Sequence, residues 1–187
     1  VAYSPVSQAG AAGACRHRIY TVTGDRRLIA LDARDGGRCA GFGAGGEVTL
    51  AEHELYGLEK VGSSSPPAVA NGVVVVGSSV IDFAFAEAPR GVIAGYDAIT
   101  GEPRWTFDPL QDATGTGAAN AWAPLAVDAE RDLVFAPTGA PSPDYYGALR
   151  LGRNDHANSV VALRLSTGEV AWAFQLVHHD LWDYDTP

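Results

Sequence analysis

Apolar and polar residues alternate along this chain in short runs, broken by glycine, proline, asparagine and aspartate. "RIYTVTGDRRLIALD", "PPAVANGVVVVGS", "VIAGYDAITGEPRWTFD", "WAPLAVDAERDLVFAPTG" and "VVALRLSTGEVAWAFQ" each read as strand, polar turn, strand. Asn71-Gly72 and the stretch "DAERD" are turn signals of the hairpin kind. No stretch makes a convincing amphipathic helix.

Three of these hairpins are copies of one another. In "LIALDARDGGRCAGF", "VIAGYDAITGEPRWTFD" and "VVALRLSTGEVAWAFQ", a β-branched apolar run leads to a glycine four residues after Asp32, Asp97 and Arg164. The glycines are Gly36, Gly101 and Gly168, spaced 65 and 67 residues apart, and Trp105 and Trp172 each follow by four residues. Two hairpins per repeat make a four-stranded sheet, the blade of a β-propeller. The expected fold is therefore all-β: about three four-stranded blades in one domain over residues 1–187. The repeat is long for a blade, so extra loops are placed in the Gly- and Pro-rich stretches 40–60 and 108–120. A propeller closes with at least four blades, so the expectation is a partial ring belonging to a larger protein. Trp105 and Trp172, which recur with the repeat, are expected to pack one blade on the next.

Composition narrows the function. The net charge is −9 and lysine occurs once, as Lys60, so an acidic surface without a basic cluster argues against nucleic-acid binding. No run is apolar for long enough to span a bilayer. "GFGAGGE" lacks the strand–loop–helix setting of a phosphate-binding loop. Cys15 and Cys39 are too few for a metal site. A disulfide, which would suit an oxidising compartment, and two separate buried thiols both remain open.

The chemistry gathers late, in "VHHDLWDYDTP". His178, His179 and Asp180 are consecutive and have the look of metal ligands, but neighbours in a strand face opposite sides, so an ion shared by His178 and His179 is disfavoured and a hydrogen-bonded turn is expected. No HExxH or similar helical pattern supports a zinc hydrolase. Trp122, in "AANAWAP", stands outside the blade repeat, which marks it for a special role.

Taken in order, "SSSPPAVANGVVVVGSSVID", "NAWAP", "APTGAPSPDYYG" and "VHHDLWDYDTP" resemble the quinoprotein dehydrogenases, eight-bladed propellers that carry pyrroloquinoline quinone (PQQ). The likeness is greatest to the membrane-bound glucose dehydrogenase branch, with its polyol and quinate relatives. The resemblance implies oxidation of a sugar or polyol hydroxyl, with a hydride passing to PQQ and electrons to ubiquinone. It implies Ca2+ or Mg2+ as the Lewis acid at the quinone. By motif position, Asp183 is the general base and Trp122 lies under the quinone. Ser64 and Asn120 contact the cofactor, and Asp82 and Ser142 are metal ligands. A periplasmic location follows, with membrane attachment through an anchor outside this chain.

The motifs also depart from the family. Phe83 follows Asp82 where the glucose enzymes carry asparagine, Ala140 stands where the alcohol enzymes carry a metal-binding asparagine, and Ser4 replaces a sugar-shaping histidine. A basic residue that contacts the quinone is expected beyond Pro187, so the segment alone is expected to be inactive. Read without the resemblance, Asp82 is as well suited to a turn, Tyr145 and Tyr146 to packing a loop, and the blades to a non-catalytic scaffold of the outer-membrane assembly type.

Overall fold

The computed structural model of the chain describes residues 1–6, 13–50, 61–111 and 113–185. Strands β1 (Ala2–Pro5), β2 (His17–Val22), β3 (Arg27–Asp32) and β4 (Glu47–Thr49) pair in that order as an antiparallel sheet. After β5 (Val61–Gly62) comes a second sheet of β6 (Ala68–Ala70), β7 (Val73–Val76), β9 (Ile93–Asp97) and β10 (Pro103–Phe107), with β8 (Ser79–Val80) pairing back on β5. After β11 (Gly117–Ala118) a third sheet forms from β12 (Ala126–Asp128), β13 (Leu133–Pro137), β15 (Ser159–Arg164) and β16 (Val170–Gln175). Here β14 (Pro141–Ser142) pairs with β11. No α-helix forms among the described residues. The three sheets are consecutive β-propeller blades.

The repeated glycine does the same work in each blade. The amide N–H groups of Gly36, Gly101 and Gly168 donate to the carbonyls of Asp32, Asp97 and Arg164 at 2.9, 2.9 and 2.8 Å. Their φ angles are +75°, +78° and +75°, in the left-handed region that side chains disfavour. Asn71 and Gly72 likewise turn β6 into β7 with φ of +47° and +75°, the two left-handed residues of a tight hairpin.

Blade 1 departs from the simple hairpin. After the Gly36 turn the chain makes one bridge, Leu31 to Arg38, and returns to the sheet as β4 only at Glu47. Between these points Cys39 and Phe42 are pulled into the core, and Cys39 is joined to Cys15 by a disulfide with a Cα–Cα separation of 5.7 Å. Thus part of the 40–60 stretch, expected as loop, supplies the outer strand; residues 51–60 lie outside the described residues.

Neighbouring blades share cores. Tyr20, Leu28, Phe42 and Leu50 of the first side pack with Val74, Val76 and Tyr96. Val73, Val75, Ile93 and Trp105 pack with Val134, Val161, Leu163 and Leu165. One contact recurs across both seams. The Tyr20 hydroxyl donates to Ala98 O at 2.6 Å, and the Trp105 indole N–H donates to Leu165 O at 2.9 Å. Each acceptor follows by one residue the last strand residue before the glycine turn, Asp97 or Arg164. The Trp105 ring lies against Gly168, where a Cβ would sit 2.6 Å from it. Trp172, its counterpart in blade 3, is 46% exposed and meets Phe135 of its own sheet.

Strand alternation sorts the connections. The tight turns β6–β7, β9–β10, β12–β13 and β15–β16 lie at one end of their blades. The long connections β4–β6, β7–β9, β10–β12 and β13–β15 and the segment after β16 all lie at the other end, together with the short β2–β3 turn of blade 1.

Candidate active site

Every site residue expected from the sequence falls in those long connections. Ser64 precedes β6, Asp82 follows β8, Asn120 and Trp122 precede β12, Ser142 ends β14, and Asp183 follows β16. Residues 119 positions apart in sequence at the extremes, Ser64 to Asp183, thus face one end because the blades run side by side.

Asp82 and Asp183 come together, and with them Asp144, a residue the sequence reading passed over. One carboxylate oxygen from each of the three lies within 4.8 Å of the others. Two full charges at that distance repel by about 3.5 kcal/mol at an effective dielectric near 20, and by less for the solvent-facing Asp82. The cluster shows this cost. Burial, then the carboxylates of Asp185, Asp144, Asp82 and Asp180, push the Asp183 carboxyl up to about 6. Asp82 is raised by burial and then by Asp144 and Asp185. A divalent cation would relieve both, and an all-carboxylate donor set suits a hard ion such as calcium or magnesium.

Asp180 shapes the loop that presents Asp183. It is buried, and its carboxylate accepts the backbone N–H groups of Trp182 (3.1 Å) and Tyr184 (2.7 Å) and the Asn158 amide (3.2 Å). Asp183 sits between them with φ +59°. His178 and His179 bond to different partners, the Gln175 side chain and Gly152 O.

Trp122 is tied at both ends. Its carbonyl accepts the hydroxyls of Ser64 (2.7 Å) and Ser65 (2.5 Å). Its indole N–H donates to Asp185 at 2.8 Å, and Asp185 also accepts the Ala140 N–H at 3.1 Å. The loop bearing Asp183 therefore holds the Trp122 ring, which is half-buried, in one plane. A ring so fixed fits the floor of a site for a flat tricyclic cofactor. Gly139 lies hard against Asp185, with no room there for a Cβ.

The other expected residues are placed as follows. The Ser142 hydroxyl donates to the carbonyls of Phe85 (2.9 Å) and Ala86 (3.1 Å), pinning the loop that begins with Asp82. Asn120 is buried, and its carbonyl accepts the Gly139 N–H at 3.0 Å. Phe83 and Tyr145, the neighbours of Asp82 and Asp144, are exposed and stack with ring centroids 5.2 Å apart. Tyr145 and Tyr146 are thus not packed inside a loop: with residues 83–86 they line an open cavity of about 300 Å³. Ala140 contributes main chain alone to these contacts.

Sequence reasoning missed Asp144 and Asp185, and it weighed Asp180 beside the two histidines, not as the residue that orders the Asp183 loop. The clue was at hand for the first two: Asp144 stands two residues after Ser142, and Asp185 two after Asp183. Their convergence depends on loop paths that no spacing rule supplies.

The family model for PQQ proteins described as "Glucose/ethanol/alcohol dehydrogenase, beta-propeller domain" matches residues 1–187. The chain belongs to this quinoprotein family. Among quinoprotein relatives it is 42% identical to the glycerol dehydrogenase large subunit of Gluconobacter oxydans (strain 621H), over 99% of this chain and 26% of that protein. It is 40% identical to quinoprotein glucose dehydrogenase A of Acinetobacter calcoaceticus, over 92% of this chain and 23% of that protein. A solved quinohemoprotein alcohol dehydrogenase, ADHIIG of Pseudomonas putida HK5, superposes with a TM-score of 0.69 at 27% identity, covering 90% of this chain and 26% of that one. The chain therefore spans about a quarter of the length of the relatives it matches.

Proposed function

We propose that this chain is the part of a PQQ-dependent sugar or polyol dehydrogenase that supplies the base, cation ligands and the floor beneath the quinone. The observation that carries this reading is the meeting of Asp82, Asp144 and Asp183, from three separate connections, within 4.8 Å. No rule of blade packing demands it, and a non-catalytic scaffold has no use for the cost.

Asp183 is the general base. It stands half-buried with its carboxyl raised to about 6, which leaves it ionised at neutral pH yet a better proton acceptor than an ordinary aspartate. Asp82 and Asp144 hold a calcium or magnesium ion, with Ser142 as a further oxygen ligand. That ion would polarise the cofactor carbonyl and lower the cost of three adjacent charges. Trp122 supports the cofactor's face, held by Ser64, Ser65 and Asp185, and Asn120, two residues before it in the same connection, contacts the cofactor. PQQ, when bound, supplies the hydride acceptor. Asp183 takes the substrate hydroxyl proton, and its loop also carries Asp185, which holds the Trp122 indole.

The reading extends to the whole protein: periplasmic, membrane-associated through a segment outside this chain, with ubiquinone receiving the electrons. The Cys15–Cys39 disulfide supports an oxidising compartment. Residues 1–187 act as part of one propeller domain and are inactive by themselves, since three blades leave the ring open. Asp183→Asn in the full-length protein tests the proposal. Turnover of sugars and polyols is expected to fall while PQQ still binds; unchanged turnover overturns it.

A further inference from the structure

Arg150 is 1% exposed, and a cation so buried needs a reason. Its guanidinium bonds to main-chain carbonyls and one amide oxygen. Nε donates to Pro143 O at 3.2 Å and Nη1 to Asn154 Oδ1 at 3.2 Å. Nη2 donates to Asp144 O at 3.1 Å and also, closely, to Asp180 O. The last two carbonyls belong to different connections. One carries Asp144 itself. The other carries Asp180, whose carboxylate orders the backbone on both sides of Asp183. A single planar group thus sets the spacing between two loops that each deliver a carboxylate to the cluster. Burial lowers the Arg150 pKa, and the nearby Asp180 and Asp144 carboxylates oppose that shift.

We propose that Arg150 is a positioning residue: by clasping the Asp144 and Asp180 carbonyls, it fixes the separation of Asp144 and Asp183 and so sets the affinity of the carboxylate cluster for a divalent cation. This rests on the cluster being a cation site. Lysine cannot replace it, because an ammonium keeps the charge but lacks the rigid fork that reaches both loops at once. Glutamine keeps a donor and loses the charge.

The test uses the full-length protein stripped of metal, with calcium alone titrated, binding followed by calorimetry, and thermal unfolding measured with and without a fixed calcium concentration. Arg150→Lys and Arg150→Gln are each expected to raise the calcium concentration for half-saturation by at least about tenfold, and to shrink the rise in Tm at any one calcium concentration. A merely structural arginine would lower Tm equally with and without calcium and leave the half-saturation point unchanged; that result overturns the inference. Should both variants fail to fold, Asn154→Ala decides, because it removes one anchor of the guanidinium and keeps its charge. A raised half-saturation point supports the clasp, and an unchanged one overturns it. If calcium and magnesium both leave the wild-type Tm unmoved, the cation reading fails and this inference falls with it. If calcium stabilises the wild type and the variants alike, the inference alone falls.

Discussion

The two ends of the blades are built by opposite rules. At the tight-turn end, every blade uses the same device. A left-handed glycine closes each turn, and at the two seams between blades the carbonyl just past the strand accepts a hydrogen bond from an aromatic of the preceding blade, Tyr20 to Ala98 and Trp105 to Leu165. At the connection end only the short pairs β5–β8 and β11–β14 recur, and the loops around them differ in length and in the side chains they deliver. There the chain spends its long loops, knits them with the two-residue strands β5, β8, β11 and β14, and brings Asp82, Asp144 and Asp183 together. The lesson concerns division of labour: stability is carried by contacts each blade makes again, which frees the other end to hold mutually repelling carboxylates.

The comparison breaks first at its most sensitive point. Asp183→Asn is expected to cut turnover of the full-length protein by about 10²–10⁴-fold, the usual worth of a positioned base, with Tm in the metal-free protein unchanged or higher. Steady-state assays beside a PQQ-binding titration check this.

The mirror experiment lies at the other end. Trp105→Ala is expected to destabilise by about 3–5 kcal/mol, since it empties a slot between blades 2 and 3 and strands the Leu165 carbonyl. Denaturant unfolding measures the loss. The calcium half-saturation point of the molecules that remain folded should not move, and a shift would mean that the two ends are coupled.

Reducing the Cys15–Cys39 disulfide, which spans 24 residues, is expected to cost about 3 kcal/mol on a chain-entropy reckoning. Unfolding with and without reductant reports it, and the cation site, in the connections of blades 2 and 3 and after β16, should be untouched.

The smallest expected effect sharpens the comparison through pH. Asp183 has a folded pKa raised to about 6 from an ordinary 3.8. Between those values the folded, metal-free protein holds a proton that the unfolded chain releases. Stability from this group is therefore complete below pH 4 and is lost as pH rises through about 6. Metal-free Tm should fall across that window, saturating calcium should flatten the fall, and Asp183→Asn should remove this group's share of it.

Much of the regular end was legible beforehand. The hairpins at Ala68–Val76, Ala126–Pro137 and Ser159–Gln175 lie where alternation and turn residues put them, because a two-residue period and a left-handed glycine are local demands. The first blade was harder to read. Its outer strand comes only after an excursion held by Cys39 and Phe42, and burial in a shared core leaves no periodic trace. At the site, Asp183, Asp82 and Trp122 stood out through motif resemblance. Asp144, Asp185 and Arg150 did not, since each matters through a partner between 30 and 63 residues distant in sequence: Asp180 for Arg150, Asp183 and Asp82 for Asp144, Trp122 for Asp185.

Sequence by itself determined that this chain is all-β, that it repeats as blades, and where each tight turn falls. Those are consequences of side-chain alternation and backbone sterics, which act within a few residues. Only the tertiary structure decided that three carboxylates meet, that one indole is held by the loop carrying the base, and that one buried guanidinium spans the two loops between them. Those depend on where independent connections end up in space, and desolvation and Coulomb repulsion have no meaning until the groups are brought within a few ångströms of one another.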